Sequence, residues 1–320
     1  MRLVEYILFV IVFWAKLGVS EITEKEYNTL RDYAEFSAIA YCLKKGLKPG
    51  KLSDSCAIDK CNTRAHKDIE IVETFNFNDW GGVGSGYLAL DELGKRIVLV
   101  FRGTASSRDW IGNLEFIPIV YEPISVGPRC DDCTVHKGFY NFLRENCMEI
   151  ILRAHGLIQD NPDYKLVVTG HSLGAALTLL AGVELQLLGD DPLVISFGSP
   201  RIGNGGLAKY INKIFETGTT KYRISEDGCI TKGYIRVAHD GDIVPLLPPP
   251  GYFKHSGVRY TITKTESPHY KEDFERAQLA DSDDSAFLER TPSKIWPEFF
   301  GKYEHKHYIT RITGCDDLKD

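Results

Sequence analysis

The chain has 320 residues, enough for one large or two modest domains, and its 43% apolar and 26% charged residues make an ordinary globular balance. The formal net charge of −6 comes without a basic run. That removes nucleic acid from the expected partners and argues against attraction to anionic membranes, while leaving contact with a neutral oil surface open.

Residues 1–20 read as a secretory signal. Arg2 supplies the positive start, Tyr6 to Trp14 the apolar centre, and Gly18-Val19-Ser20 the small residues for cleavage after Ser20. The apolar run is short for a membrane span, a retained anchor being the alternative, and no later stretch approaches spanning length. No stable transmembrane segment is therefore expected after signal removal, and the protein is expected outside the cell. Eight cysteines behind such a leader point to disulfides. Cys56/Cys61 and Cys130/Cys133 are spaced for small loop closures, Cys42 and Cys315 could tie the two ends of the domain together, and Cys147 and Cys229 remain, paired or free. Cys130-Asp-Asp-Cys133 lacks a second such pair to complete a zinc site. No metal or cofactor is expected.

Thr23 to Leu43 reads as a helix with Tyr33, Ala34, Ser37, Ala38, Ala40 and Tyr41 on a packing face. A loop follows to His66, then a strand over Ile69 to Asn76. The glycine-rich Gly81–Gly86 link is not followed by a helix and so lacks the context of a phosphate cradle. Tyr87–Leu90 and Arg96–Phe101 read as a hairpin. Phe139 to His155 reads as an amphipathic helix, Leu193–Phe197 and Tyr234–Val237 as buried strands. Strands alternating with helices predict an α/β fold with a mostly parallel sheet covered on both faces. No linker splits the mature chain, so residues 21–320 are read as one domain.

The chemistry centres on Lys165–Leu177, which reads as a β-branched strand, a tight turn and an Ala/Leu helix. The turn carries Gly170-His171-Ser172-Leu173-Gly174, a nucleophile elbow in that context. A serine hydroxyl needs exposure at a sharp turn, a neighbouring base and amide donors for the oxyanion. Glycines two residues to either side remove Cβ atoms that would clash as strand and helix close on the turn. An acid should follow Ser172 in the chain, and a histidine should follow the acid. Asp242, just past the strand Tyr234–Val237 and before Ile243-Val244-Pro245, is preferred to Asp240, which reads as a solvated turn residue. His255, His269, His305 and His307 all follow, and position alone does not choose among them.

The blocks Tyr33–Cys42, Phe101-Arg102-Gly103-Thr104, Val135–Phe139, Gly170–Gly174, Phe197–Arg201, Asp242–Pro245 and His305–Ile309 together resemble the secreted class 3 lipases of filamentous fungi and yeasts, across nearly all of the mature chain. The resemblance implies an α/β-hydrolase fold with a short helical lid, and a serine ester hydrolase, expected to be a triacylglycerol lipase working through an acyl-enzyme on lipid esters at an oil–water interface. Feruloyl esterase and phospholipase A1 are the same-fold alternatives; a non-catalytic binding protein on this scaffold is the other. It implies His305 as the base, three residues before Tyr308 and close to Cys315, with His307 the minor alternative; His255 and His136 fall in structural blocks. It implies oxyanion donors at Thr104 and Leu173, and a lid over Ser106–Leu114. There Trp110, Ile111 and Leu114 share one helical face, and Arg108 is among the polar positions. Leu246–Pro250 could line the acyl groove or simply pack.

Overall fold

The computed structural model describes residues 19–62, 66, 68–77, 84–104, 115–217, 229–277 and 303–317. The lid candidates Arg108, Trp110, Ile111 and Leu114, and the apolar run Tyr6 to Trp14 of the expected signal, lie outside the described residues.

Among the described residues a ten-stranded sheet runs in the order Val19–Ser20, Phe274–Ala277, Val258–Ile262, Gly233–His239, Leu193–Phe197, Lys165–His171, Arg96–Phe101, Gly86–Asp91, Glu70–Phe75, Gly50–Lys51. The middle strands, from Arg96–Phe101 across to Val258–Ile262, pair in parallel, and the pairs at both edges are antiparallel. Parallel strands with both faces covered are rich in apolar side chains, and Leu193–Phe197 and Gly233–His239 are buried along their whole length, with Ser196, Arg236 and His239 buried among the apolar residues. Cleavage after Ser20 would remove the outermost two-residue strand and leave the parallel centre untouched.

The first helix, Glu24–Ile39, covers one face and continues as a 3₁₀ turn over Ala40–Lys45. Thr23 caps it: its hydroxyl accepts from the Glu26 N–H (3.1 Å), and the Glu26 carboxylate accepts from the Thr23 N–H (2.7 Å). Its Ser37 hydroxyl meets Thr169 of the central strand at 3.1 Å. The predicted helix over Phe139–His155 is longer and less regular. It runs Lys137–Phe142, a π turn Leu143–Cys147, then Met148–Asp160. The wide turn re-phases the rod so that Leu143, Cys147, Ile150, Ile151, Ala154 and Ile158 all face the core. It packs with the helix Leu173–Leu187 on the other face of the sheet.

Disulfides join Cys42 to Cys315, Cys56 to Cys61 and Cys130 to Cys133. Cys147 and Cys229 take part in none, and Cys147 is buried. Phe253–Lys254, Gly203–Asn204, Thr134–His136 and Pro118–Val120 form a separate, smaller four-stranded sheet.

Candidate active site

The turn from Lys165–His171 into Leu173–Leu187 forces Ser172 to φ 60°, ψ −126°, a conformation L-residues rarely adopt. It is held there from the next strand: the Ser172 N–H donates to the Phe197 carbonyl at 2.9 Å. The flanking glycines serve a closer approach than the turn alone requires. A Cβ on Gly170 would lie 2.5 Å from the Phe101 carbonyl oxygen and from the Thr178 hydroxyl, and one on Gly174 would lie 2.3 Å from the same Phe101 oxygen. The elbow is thus wedged against the end of the neighbouring strand.

His305, in the short helix Tyr303–Lys306, turns its ring into this site. Its Nε2 lies 2.9 Å from Ser172 Oγ and its Nδ1 2.8 Å from Asp242 Oδ2. Asp242 sits just beyond Gly233–His239 and is wholly buried. Its Oδ1 accepts the Val244 N–H at 2.9 Å, and its Oδ2 also accepts the Tyr308 hydroxyl at 2.5 Å. Burial works to raise the Asp242 carboxyl, but the adjacent His305, the Tyr308 hydroxyl and the Val244 amide outweigh it and hold the group below the usual carboxylate range. Gly198, at φ 60°, gives Tyr308 and Asp242 room: a Cβ there would come within 2.9 Å of the Tyr308 oxygen and 3.2 Å of Asp242 Oδ2.

His171 forms the floor. Its Nε2–H donates to the His305 carbonyl (2.8 Å), and its Nδ1 accepts the Tyr41 hydroxyl (2.6 Å). Burial, then the neighbouring His305 ring 4.7 Å away, keep it from taking a proton, well below the usual histidine range. The backbone that carries His305 is further held by His239, whose Nδ1 lies 3.0 Å from the Glu304 carbonyl, and by His269, whose Nδ1 accepts the Ile309 N–H at 3.1 Å.

The other histidines lie elsewhere. His307 stacks on Tyr303 with ring centres 3.6 Å apart and meets the Tyr303 carbonyl at 2.6 Å. His255 reaches the Pro245 carbonyl at 2.8 Å, and His136 stacks on Phe139 at 4.2 Å. Asp240 is only half buried and its backbone N–H bonds Ile262 of the sheet. Leu246–Pro250 is clamped from beneath by Arg201, whose guanidinium donates to the Leu246 and Pro248 carbonyls. Thr104, next after Gly103, carries a buried hydroxyl with no partner among the described residues. Leu173 opens the elbow helix, where the first amides lack intrahelical acceptors. The Tyr41–His171–His305 chain and the Tyr308–Asp242 bond escape sequence reasoning, because each joins residues remote in the chain; the blocks that hold these residues carry no sign of the pairing.

Asp32, Glu35 and His66 bring potential metal ligands within 4.8 Å of one another. One Asp32 oxygen already faces Arg96 and the other faces His66, so the cluster is occupied by its own ion pairs.

A family model described as lipase (class 3) matches residues 98–252. A putative lipase of Saccharomyces cerevisiae is 34% identical over 257 residues, covering 74% of this chain and 76% of that one. The lipase of Rhizomucor miehei is 32% identical over 252 residues; the match covers 77% of this chain and 61% of the Rhizomucor protein's length. Among solved structures, a triacylglycerol lipase whose catalytic centre is a serine-protease triad superposes with a TM-score of 0.72 at 28% identity, over 94% of this chain and all of the other.

Proposed function

This chain belongs to the class 3 lipase family, and we propose that it is a secreted triacylglycerol lipase with Ser172 as nucleophile, His305 as base and Asp242 as the group that orients the base. The observation that carries this reading is the unbroken row Ser172 Oγ–His305–Asp242, with contacts of 2.9 and 2.8 Å. In it His305 Nδ1–H donates to Asp242 and Nε2 accepts the serine proton as Oγ attacks the ester carbonyl. The imidazolium then protonates the departing alcohol. Water, deprotonated by the same nitrogen, releases the fatty acid from the acyl-enzyme. The backbone N–H groups of Thr104 and Leu173, with the unpartnered Thr104 hydroxyl, are the donors for the oxyanion; one such donor is worth roughly 3 kcal/mol in the transition state.

Two further features support an oil-surface substrate outside the cell. Phe116 and Ile117, directly after the lid candidate, and the nearby Val120 are exposed apolar side chains. The disulfides suit an oxidising compartment. Among the described residues no helix is long and apolar enough to cross a membrane.

A phosphonate inhibitor should label Ser172 stoichiometrically, and the labelled protein should turn over no ester. Emulsified triolein should be cleaved faster than phospholipid or methyl ferulate, with a rate that climbs once substrate passes its solubility limit. Absence of label points to a non-catalytic scaffold. Preference for ferulate or phospholipid reassigns the substrate while keeping the triad. A smooth saturation curve through the solubility limit argues against a lid that opens at an interface.

A further inference from the structure

Arg102 follows the strand Arg96–Phe101 and is 0% exposed. A buried guanidinium is costly unless it is well compensated. Here the compensation is sparse and directional. Its Nε–H donates to the Gly103 carbonyl at 3.0 Å, its guanidinium carbon lies 5.6 Å from the centre of the Tyr41 ring, and Nη1 and Nη2 have no hydrogen-bond partner among the described residues. Gly103 has no room for a side chain. A Cβ there would meet the Tyr41 hydroxyl at 2.8 Å, the His171 carbonyl at 2.9 Å and Ser172 Cβ at 2.9 Å.

The carbonyl that Arg102 grips belongs to the same peptide group as the Thr104 N–H. Among the described residues the cis bonds are Leu247–Pro248 and Ser267–Pro268, so this peptide is trans, with its C=O and N–H pointing in opposite directions. A cation on the oxygen side draws electron density along the amide, and the N–H at the far end becomes a stronger donor. The same contact fixes the plane of the peptide against Ser172. We propose that Arg102 is a positioning residue for the oxyanion hole, polarising and orienting the Gly103–Thr104 peptide through its carbonyl. This rests on the reading of Ser172 as nucleophile and Thr104 as oxyanion donor. It adds a residue that touches no substrate atom yet acts on the transition state.

The test is isotope-edited infrared spectroscopy of the acyl-enzyme formed from a slowly deacylating ester carrying a ¹³C carbonyl. The carbonyl band of that species reports how strongly the oxyanion hole pulls on it, which a merely structural role would not move. Arg102→Met keeps an apolar stem over Tyr41 and loses the cation. Its band should move to higher wavenumber, and kcat on a soluble p-nitrophenyl ester should fall about tenfold with KM within about twofold. Arg102→Lys keeps the charge but cannot repeat the Nε contact, so its band should move the same way by less. If Arg102→Met fails to fold, the lysine variant carries the measurement alone. A band at the wild-type position in either folded variant overturns the proposal, as does a rate loss expressed wholly in KM. If wild type forms no acyl-enzyme at Ser172, the catalytic reading and this one fall together. If it forms one and the band is unmoved, only the role of Arg102 falls.

Discussion

Two buried histidines in this molecule keep carboxylate company, and only one of them is arranged to move a proton. His305 meets Asp242 through Nδ1 and a serine hydroxyl through Nε2. His66 meets a carboxylate at both nitrogens, with Asp32 3.0 Å from Nε2 and Glu35 3.5 Å from Nδ1. Carboxylates only accept, so His66 has no nitrogen left to take a proton from a substrate or a nucleophile. Arg96 completes the knot from the sheet. It pairs with Asp32 and, at 2.6 Å, with Asp91, while its guanidinium lies over Tyr33 and Phe36. Burial would raise Asp32, but His66 and Arg96 together bring it below the usual carboxylate range. The difference is one of valence: a base needs a carboxylate on one side and a transferable proton on the other.

Removing each ring should separate the two roles most strongly. His305→Ala should cost roughly 10⁴-fold or more in kcat on a soluble ester, with a melting temperature close to that of wild type. His66→Ala should leave kcat within about twofold and lose roughly 2–3 kcal/mol of stability, since Glu35 loses its ring partner and Asp32 is left with Arg96 alone. His307→Ala, which unstacks only Tyr303, should retain most activity. Loss of turnover on removing His66 or His307, with His305→Ala still active, would mean that the base has been misassigned.

The two histidine segments are also tied down differently. The segment carrying His305 is fastened by Cys315 to Cys42, 273 residues away in sequence, whereas the loop before His66 is closed by Cys56–Cys61, five residues apart. On the chain-entropy model the long closure is worth about 6 kcal/mol and the short one about 2 kcal/mol. Replacing Cys42 and Cys315 by serine should therefore lower the free energy of denaturant unfolding far more than replacing Cys56 and Cys61. It should also reduce activity, because His305 is positioned by the held segment. Equal losses from the two pairs would remove the argument that the long bridge stabilises the catalytic end in particular.

Much of this arrangement is legible in the order of the amino acids. The strand, turn and helix around Ser172 are local, so β-branched residues, glycines and an Ala/Leu run suffice to announce them. Asp242 is legible because it follows a buried strand closely, at the carboxyl end of a parallel sheet. The histidine is not legible from its own neighbourhood. His255, His269, His305 and His307 differ in what they meet from distant parts of the chain, and only the resemblance of His305–Ile309 to a family block separates them. Tyr41, Arg102 and Tyr308 lie inside family blocks without announcing a role. The two tyrosine hydroxyls sit 130 and 66 positions along the chain from His171 and Asp242, and a guanidinium folded back on its own backbone leaves no periodic trace. The clash that makes Gly170 and Gly174 necessary likewise involves the Phe101 carbonyl of another strand, which no local pattern contains.

Tyr308→Phe tests the acid side of the row more gently. It removes one of the interactions that keep Asp242 ionised while leaving its bond to His305, and kcat should fall about tenfold or less. The pH dependence has a definite sign. A carboxyl lowered in the folded state contributes stability that is complete above its unfolded value of 3.8 and is lost as pH falls through the folded value. Without the tyrosine hydroxyl the folded value moves back towards 3.8, so Tyr308→Phe should lose less stability than wild type on going from neutral pH to below that range. Parallel acid titrations of stability in the two proteins would count against a role for this bond.

A smaller effect separates the buried neutral histidines from the two buried ones bound to carboxylates. Burial lowers His136 to about 4, and burial followed by the proximity of His239 lowers His269 to about 4. A histidine depressed in this way favours the folded state fully above the unfolded value of 6.5, and that contribution drains away as pH falls from 6.5 towards 4. Acid destabilisation should thus begin well above the carboxylate range. His269→Asn keeps an acceptor for the Ile309 N–H but cannot titrate, so its melting temperature should fall less steeply than wild type between pH 6.5 and about 4 and run parallel to it above about 7. The same slope in both proteins would show that protonation of His269 does not govern the grip on the His305 segment, and would shift the acid sensitivity to the other lowered histidines, His136, His171 and His307.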